Sequence, residues 1–512
     1  MDHILSILIF FPAFGAIVGF IIDHKRIKIY GIFVALIEFV LSILMYSFYD
    51  PSTEPLEFVE KFSILSSLEI NYFVGIDGIS LFLVVLSTFI TLLALISLNV
   101  KDGAKNIIIS VLILETSMVG FFSSLDVMLF YIFWELALVP MFVIIGVYGG
   151  QNRIYACLKF FIYTFAGSII MLVGIIAMSY FYYKSFGKIS FSLLDWYNLS
   201  LPFKTSLWLF LSFAIAFAIK TAIFPFHTWL PYAYTQAPII GSVLISSLLA
   251  KMGIYGFIRI LLPIFPDASV YFSDMFGILA IIMIIYAGMI AFAKHDIKEV
   301  IAYSSISHMG IIMLGIFAIN LEGMSGAVFF MVSHGVLSAG LFMMAGVLQN
   351  KVGTCNIDKL GSIAKIMPSF AIVFGIIMLG TIGLPLTIGF VGEFLSLLGM
   401  FKANMLLASL GGIGIILSAI YMLNFYRNVF FKKSKNDLIF ASQNISIKEY
   451  ISLIPICLVV IIMGIYPKPV LNIIDESAQK VLKVMYDKSA HKDTKDYLNK
   501  SNLLEGNKVA ND

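Results

Sequence analysis

Eight ionisable side chains fall inside long apolar runs of this 512-residue chain: Glu38, Glu115, Glu135, Lys220, Lys251, His308, His334 and Glu393. An ionisable group at the middle of a bilayer is expensive and faces the protein interior, where it marks an ion or proton pathway. Two lysines and several carboxylates at that depth are expected to pair across helices, because an unpaired buried charge is heavily penalised. Burial disfavours the charged form of either partner and pairing favours it, so a buried Glu–Lys pair titrates as one unit. Making or breaking the pair then switches the lysine between holding and releasing a proton. His308 and His334 titrate near neutrality unaided and can pass a proton on. The competing readings are local: a lysine that snorkels to the interface, or a histidine that merely packs.

Two apolar runs look broken beside these groups. Pro225 and Pro231 interrupt the run that holds Lys220, and proline removes a helical hydrogen bond and clashes with the preceding turn. Lys220 is therefore expected near the C-terminal end of a half-helix, where free carbonyls favour a cation. The second is Gly380-Thr-Ile-Gly-Leu-Pro-Leu-Thr-Ile-Gly-Phe-Val-Gly-Glu393. Paired discontinuous helices at corresponding positions of two halves point to a transport site.

The elements that position these groups follow from composition. Hydrophobic residues make up 60% of the chain and charged residues 12%, about half the charge of a soluble domain. Apolar runs near 4–22, 29–48, 79–98, 106–123, 127–147, 158–183, 207–230, 239–262, 275–293, 301–319, 325–348, 369–400, 404–430 and 450–467 predict about fourteen spanning helices of about 20 residues each. The fold class is all-α, a polytopic membrane protein. Continuous runs exclude an outer-membrane barrel, whose apolar residues alternate. The first run is read as a retained helix and not a signal peptide.

Loop charges set the orientation. Lys25, Arg26 and Lys28, then Lys101 and Lys105, Arg153 and Lys159, Lys351, Lys359 and Lys365, and Arg427, Lys432, Lys433 and Lys435 mark the odd-numbered loops as cytoplasmic. Glu54, Glu57, Glu60 and Glu69 occupy the second loop, and Lys184, Lys188 and Lys204 in the sixth go against the pattern. Both termini are expected on the periplasmic side. Beyond about residue 468 the chain is polar, with a short surface helix expected over 475–486 and disorder at the last residues.

A net charge of +3 with dispersed basic residues gives no nucleic-acid footprint. The chain has neither a Walker A nor a GxGxxG motif, which argues against ATP and dinucleotide binding. Cys157, Cys355 and Cys457 lie far apart with no metal or iron–sulfur spacing. They read as small buried hydrophobes.

The motifs around the buried groups carry a resemblance. They are Val74-Gly-Ile-Asp-Gly-Ile-Ser-Leu81, Phe130-Tyr-Ile-Phe-Trp-Glu-Leu136, Pro225-Phe-His-Thr-Trp-Leu-Pro231, Gln236-Ala-Pro238, Ala302-Tyr-Ser-Ser-Ile-Ser-His-Met-Gly310 and Phe390-Val-Gly-Glu-Phe394. The chain resembles the antiporter-like membrane subunits of respiratory complex I, the proton-translocating NADH:quinone oxidoreductase, from the first span to about residue 467. The nearest type is bacterial chain M, or mitochondrial subunit 4. The resemblance implies two inverted five-helix repeats, spans four to eight and nine to thirteen. The corresponding segments are 1–103, 104–265, 266–435, 436–470 and a polar tail, 471–512.

It also implies residue roles. Glu135 would be the fifth-span glutamate that pairs with Lys220, and Lys251 the eighth-span lysine leading to the centre. His308 and His334 would lie on the connecting polar axis, with Glu393 as the twelfth-span acid. Sister subunits usually carry lysine at the Glu393 position. Glu115 would be an auxiliary fourth-span glutamate and His227 a supporting relay residue. Leu244 stands where relatives often have polar residues, so the side route toward Lys251 differs.

No cofactor or metal is expected in this chain. FMN, iron–sulfur clusters and quinone would belong to partner subunits, so the chain is enzymatic only as part of the oxidoreductase. Its partners would be other complex I membrane subunits, above all the neighbouring antiporter-like ones, in the bacterial inner membrane. The alternatives are a subunit of a multisubunit Na+/H+ antiporter or of a membrane-bound hydrogenase, and a structural scaffold without transport.

Overall fold

The computed structural model describes residues 3–50, 56–99, 103–433 and 445–500. Glu54, Lys101 and Lys435, used above for orientation, and the disorder expected at 501–512 lie outside the described residues.

The chain is a helical bundle. It begins with α1 (Ile4–Gly19) and α2 (Ile27–Phe48), and a β-hairpin of β1 (Glu57–Leu65) and β2 (Ile70–Ile76) leads to α3 (Gly78–Ser97). Next come α4 (Ala104–Ser123), α5 (Val127–Leu136) and α6 (Leu138–Tyr148), the last two joined through Ala137, and α7 (Arg153–Phe186). The short α8 (Leu193–Tyr197) precedes α9 (Phe203–Thr221) and α10 (Trp229–Gln236). A nearly continuous run follows in α11 (Ile239–Leu244), α12 (Ala250–Gly256) and α13 (Leu262–Ile264), then α14 (Pro266–Tyr271). The second half holds α15 (Ser273–Ala293), α16 (Ile297–Phe317), α17 (Leu321–Val352), α18 (Ile363–Ile366), α19 (Pro368–Ile382), α20 (Ile388–Ala403), α21 (Met405–Phe430) and α22 (Ile447–Ile465). The chain closes with α23 (Lys468–Lys488) and α24 (Lys492–Lys500).

Among the described residues, twelve helices are long and apolar enough to cross a membrane, and α1 and α19 are shorter apolar helices. The small hairpin is an addition to the all-α expectation. It pairs antiparallel with Glu60 opposite Val74.

Side-chain caps fix where several helices start. Asp77 accepts from the amides of Ile79 and Ser80 in a capping box at α3, and Asp126 and Asp296 do the same at α5 and α16. Asn320 and Asn404 cap α17 and α21. Each cap satisfies amides that an apolar surrounding would leave bare. The core is deepest at α17, whose membrane-length window is entirely buried, whereas α22 is largely exposed along its sides. Exposed Phe10, Phe14, Phe33, Ile162 and Ile462 face outward, as side chains meeting lipid or partner chains must.

Loop contacts sort the two ends of the bundle. At one end Ser6 bonds Glu60, the Asn71 amide donates to Asp126, and the Gly78 amide donates to Ser477 of α23. Lys488 donates to the Trp196 carbonyl at the same end. At the other end Lys28 donates to the Leu98 carbonyl, Lys105 to Phe20, and Lys298 to Ala237. The basic odd-numbered loops thus share one end, and α1 begins at the opposite end, where α23 docks.

Two local expectations change. The surface helix runs over Lys468–Lys488, longer at both ends than 475–486, because Pro467 and Lys468 start it about two turns earlier and its apolar side docks through Ile474, Ala478, Leu482 and Met485. Pro231 does not interrupt a helix: it lies in the first turn of α10, where a missing amide costs nothing. Cys157 and Cys457 are buried as expected, but Cys355 is only partly so, since it lies in the loop after α17.

A buried ion pair ties the hairpin end to the first half. Arg259 Nη2 meets Asp77 Oδ1 at 2.8 Å, and Arg259 Nε donates to the Tyr255 hydroxyl at 3.0 Å. Removing one partner leaves a buried charge alone, so Arg259→Leu is expected to cost about 3–5 kcal/mol. Thermal unfolding of the purified chain would register that loss, and adding Asp77→Asn should recover much of it. A second substitution that only worsens the loss contradicts the ion-pair account.

Candidate functional site

The break that holds Lys220 is built by backbone hydrogen bonds. α9 ends at Thr221, and Ala222 takes the left-handed conformation at φ 61°. The Ile223 amide reaches back to the Ala218 carbonyl and the Ala222 amide to Ile219. α19 ends the same way: Gly383 has φ 79°, its amide donates to Gly380, and the Leu384 amide donates to Leu379. Both are Schellman closures, which satisfy carbonyls that a broken helix would leave bare. Lys220 is the penultimate residue of its half-helix, as the proline spacing predicts. At the second break Gly383 takes the left-handed conformation that glycine adopts most easily, and a Cβ there would displace the Glu393 carboxyl, whose Oε2 lies over it.

Lys220 is buried, with Nζ 5.0 Å from the Trp134 ring centroid and 6.0 Å from Phe160. A desolvated cation over an indole gains about 2 kcal/mol. The expected Glu135–Lys220 ion pair is not formed. Lys220 Nζ and Glu135 Oε1 have no hydrogen-bond partner among the described residues, although Glu135 is the charge that acts on Lys220. The reason lies in placement. Lys220 turns inward over Trp134, whereas Glu135, one residue further along α5, is only partly covered by its own chain. Its neighbours Ile132 and Val139 are exposed on the bundle's side.

Lys251 sits on α12, between two π-helical stretches, Ile245–Leu249 and Phe257–Leu261. Such wide turns recur at functional sites, and here Nζ donates to the carbonyl of Ser246 inside the first stretch. Nζ also lies 2.7 Å from His334 Nδ1. With the ammonium donating, Nδ1 accepts and the ring proton of His334 belongs on Nε2. The His334 and His308 rings lie 5.6 Å apart, with Phe330 5.7 Å from His308. His308 Nε2 is 3.5 Å from Glu393 Oε1, within ion-pair range and short of a hydrogen bond. All four side chains are at most 3% exposed.

The sequence-predicted residues thus divide. Lys251, His334, His308 and Glu393 form one succession across the core. Lys220 lies on α9, which packs against α12: a Cβ on Gly253 would overlap Thr221 Oγ1. His227 stands apart, its ring 5.6 Å from Phe224 and 5.5 Å from Tyr286, with Lys159 as its charged neighbour. Glu115 is buried with neither carboxyl oxygen partnered among the described residues. Leu244, the departure noted in the sequence, is buried beside the π stretch and contributes no polar atom.

Other polar groups escaped sequence reading because serine, threonine and tyrosine are common in helices. Ser304, Ser305, Ser338 and Thr381 line a small cavity with His308 and His334, with room for about one water. The Tyr421 hydroxyl donates to Ser304 Oγ at 2.9 Å, and Ser396 lies one turn from Glu393 on α20. A cleft of about 700 Å³ opens at the end with the basic loops, lined by Lys28, Gln236, Lys298, Met343 and Gly346. Met343 follows His334 by nine residues on α17, about 13 Å along the helix axis. Among the described residues no cluster of His, Cys, Asp or Glu could hold a metal. The arrangement can hold and pass protons.

Residues 124–420 match the family described as NADH:quinone oxidoreductase/Mrp antiporter, TM. The chain belongs to that family. It is 42% identical over 489 residues to the NADH-quinone oxidoreductase subunit M of Rickettsia prowazekii (strain Madrid E), covering 94% of this chain and 98% of that protein. A chain of respiratory complex I from Thermus thermophilus with bound NADH superposes with a TM-score of 0.86 at 28% identity, covering 94% of this chain and 99% of that one. A chain of the Mrp complex from Dietzia sp. DQ12-45-1b shares the fold, with a TM-score of 0.82 at 16% identity over 96% of this chain and 99% of that one. These solved structures are multisubunit membrane complexes, and the chain is part of such a complex with other membrane subunits.

The Lys251–His334 contact gives a direct test. If Nζ and Nδ1 act as one unit, Lys251→Met and His334→Leu should be non-additive in thermal stability, with a coupling of about 0.5–3 kcal/mol. Additive losses contradict the contact.

Proposed function

We propose that the chain is the proton-translocating membrane-arm subunit of an NADH:quinone oxidoreductase, driven by electron transfer in other subunits. The observation that carries this reading is the succession Lys251–His334–His308–Glu393, four buried titratable side chains in line through an apolar bundle. Retaining such groups in hydrocarbon is costly, and a passive scaffold would have no use for them. The similarity to a subunit M over nearly the whole chain supports the same reading.

In this reading the bundle has fourteen spans, with inverted repeats over spans four to eight and nine to thirteen, one break in each. The twin Schellman closures at Ala222 and Gly383 support that symmetry. Both termini lie on the periplasmic side of a bacterial inner membrane, and the basic-loop end is cytoplasmic. The 700 Å³ cleft there supplies protons. Neighbouring antiporter-like subunits cover the Glu135 flank, while flavin, iron–sulfur clusters and quinone belong to other chains.

The stroke follows from electrostatics. A charge arriving beside Glu135 from the adjoining subunit changes how strongly Glu135 holds the proton on Lys220. With Glu135 out of contact, as in this structure, Lys220 stays charged only through its ring neighbours and gives up its proton toward Lys251. The proton then passes through His334 and His308 to Glu393 and leaves on the far side. Glu393 serves as final acceptor because it is acidic and lies at the second helix break.

The test is proton pumping by the assembled complex in sealed vesicles. Lys220→Ala should assemble and lower the number of protons moved per electron. Full stoichiometry would sink the proposal. Glu135→Gln removes the charge that acts on Lys220 and should slow turnover by about tenfold, the change in rate that about 1.4 kcal/mol of lost electrostatic interaction produces. Unchanged turnover removes Glu135 from the mechanism.

A further inference from the structure

Glu38 is the buried charge that this mechanism leaves unused. It lies on α2, outside both proposed repeats, and is 0% exposed. Glu115 on α4 is 1% exposed. None of their four carboxyl oxygens has a hydrogen-bond partner among the described residues.

Helix packing brings the two together. α2 and α4 run in the same direction, since α3 lies between them in the chain and reverses it twice. They touch where Gly31 meets Ile108: a Cβ on Gly31 would lie 2.6 Å from Ile108 Cγ2. Glu38 is seven residues beyond Gly31 and Glu115 seven beyond Ile108. Seven residues make about two helical turns and about 10 Å of rise, so both carboxyls return to the contact side at the same height. Glu115 is accordingly the charge that acts on Glu38.

α1 and the body of α3 contribute no titratable side chain; the nearest polar contact is Ser42 Oγ to Thr88 Oγ1, at 2.7 Å. Lys28 and Lys105 are spent on carbonyls at the loop end of the bundle. On the other side of α4 lie α5 with Glu135 and α12 with Lys251. Gly120 of α4 packs on the Phe133 ring, and these two helices are antiparallel. Glu115 and Glu135 therefore differ in height by about 5 Å, less than one turn.

We propose that Glu38 and Glu115 form a proton-holding carboxyl pair, a storage site one helix away from Glu135 that exchanges its proton as the charge at Glu135 changes. Two neighbouring carboxylates in an apolar interior, with no hydrogen-bond partner among the described residues, do not both ionise, so the pair retains a proton and titrates as one unit. Its purpose rests on the proton-translocation reading. The occupancy of the pair does not.

The experiment uses the assembled complex with Glu38→Gln, Glu115→Gln and the double variant. Infrared spectra in water and heavy water should show a deuteration-sensitive carboxylic-acid carbonyl band that the double variant loses and that Glu38→Gln alone shifts. A double variant with an unchanged acid region overturns the proposal, because the pair is then ionised. A band that vanishes as sodium is raised overturns it too, because the pair then binds a metal cation. In pumping assays each single substitution should lower the rate, and the double should be no worse than the worse single. Additive losses mean two independent groups and contradict the pair. Failure of the translocation reading would appear separately, as full pumping by Lys220→Ala with the infrared band still present.

Discussion

The cost of a charge in hydrocarbon governs this fold. Apolar helices can cross a bilayer without it, and most of the chain's charge avoids it by lying in loops. The charges that remain inside are placed where something offsets burial: Arg259 against Asp77, Lys251 against Ser246 and His334, Lys220 over Trp134. The carboxyls differ. Glu393 approaches a histidine without a hydrogen bond, and the carboxyl oxygens of Glu38 and Glu115 have no hydrogen-bond partner among the described residues. Cations that are held and acids that are not make a gradient along which protons can be handed on.

Broken helices are the second device. A continuous helix satisfies its own carbonyls and offers nothing to a passing proton. At Ala222 and Gly383 the ladder closes on itself through the same pair of backbone hydrogen bonds, with Lys220 beside the first break and Glu393 folded over the second. The π-helical stretches around Lys251 do related work by widening a turn until an ammonium can reach a carbonyl of its own helix. Backbone irregularity of this kind is tolerated at membrane depth only where protein surrounds it; Ala222 and the π-helical stretches are buried, whereas the second break is partly open at Gly383 and Leu384.

Much of this was legible in the sequence. Long apolar runs and alternating loop charges exposed the helices and the two ends of the bundle, because hydrophobic length and loop chemistry are local properties. The residues of the central line stood out because lysine, histidine and glutamate are conspicuous in such runs. Their pairing was not legible. Which face of α5 Glu135 occupies, and that Lys220 turns to Trp134 instead, depends on side-chain direction across helices. The expected surface helix came out too short because its apolar side is recognisable only against the helices it docks on. Ser304, Thr381 and Tyr421 stayed hidden, since hydroxyl residues in helices usually satisfy their own backbone. The β-hairpin over 57–76 stayed hidden as well, since Glu57, Glu60, Lys61 and Glu69 mark the stretch as a charged loop between two spans.

The central claim is that protons traverse the core through the line ending at Glu393. Glu393→Gln keeps the shape and hydrogen-bonding reach of the side chain while removing its capacity to take a proton. The most direct measurement is the proton-pumping rate of the assembled complex in sealed vesicles, with electron transfer recorded in the same sample. The account predicts a marked loss of pumping with normal assembly. Pumping at the full rate and full proton-to-electron ratio would contradict it.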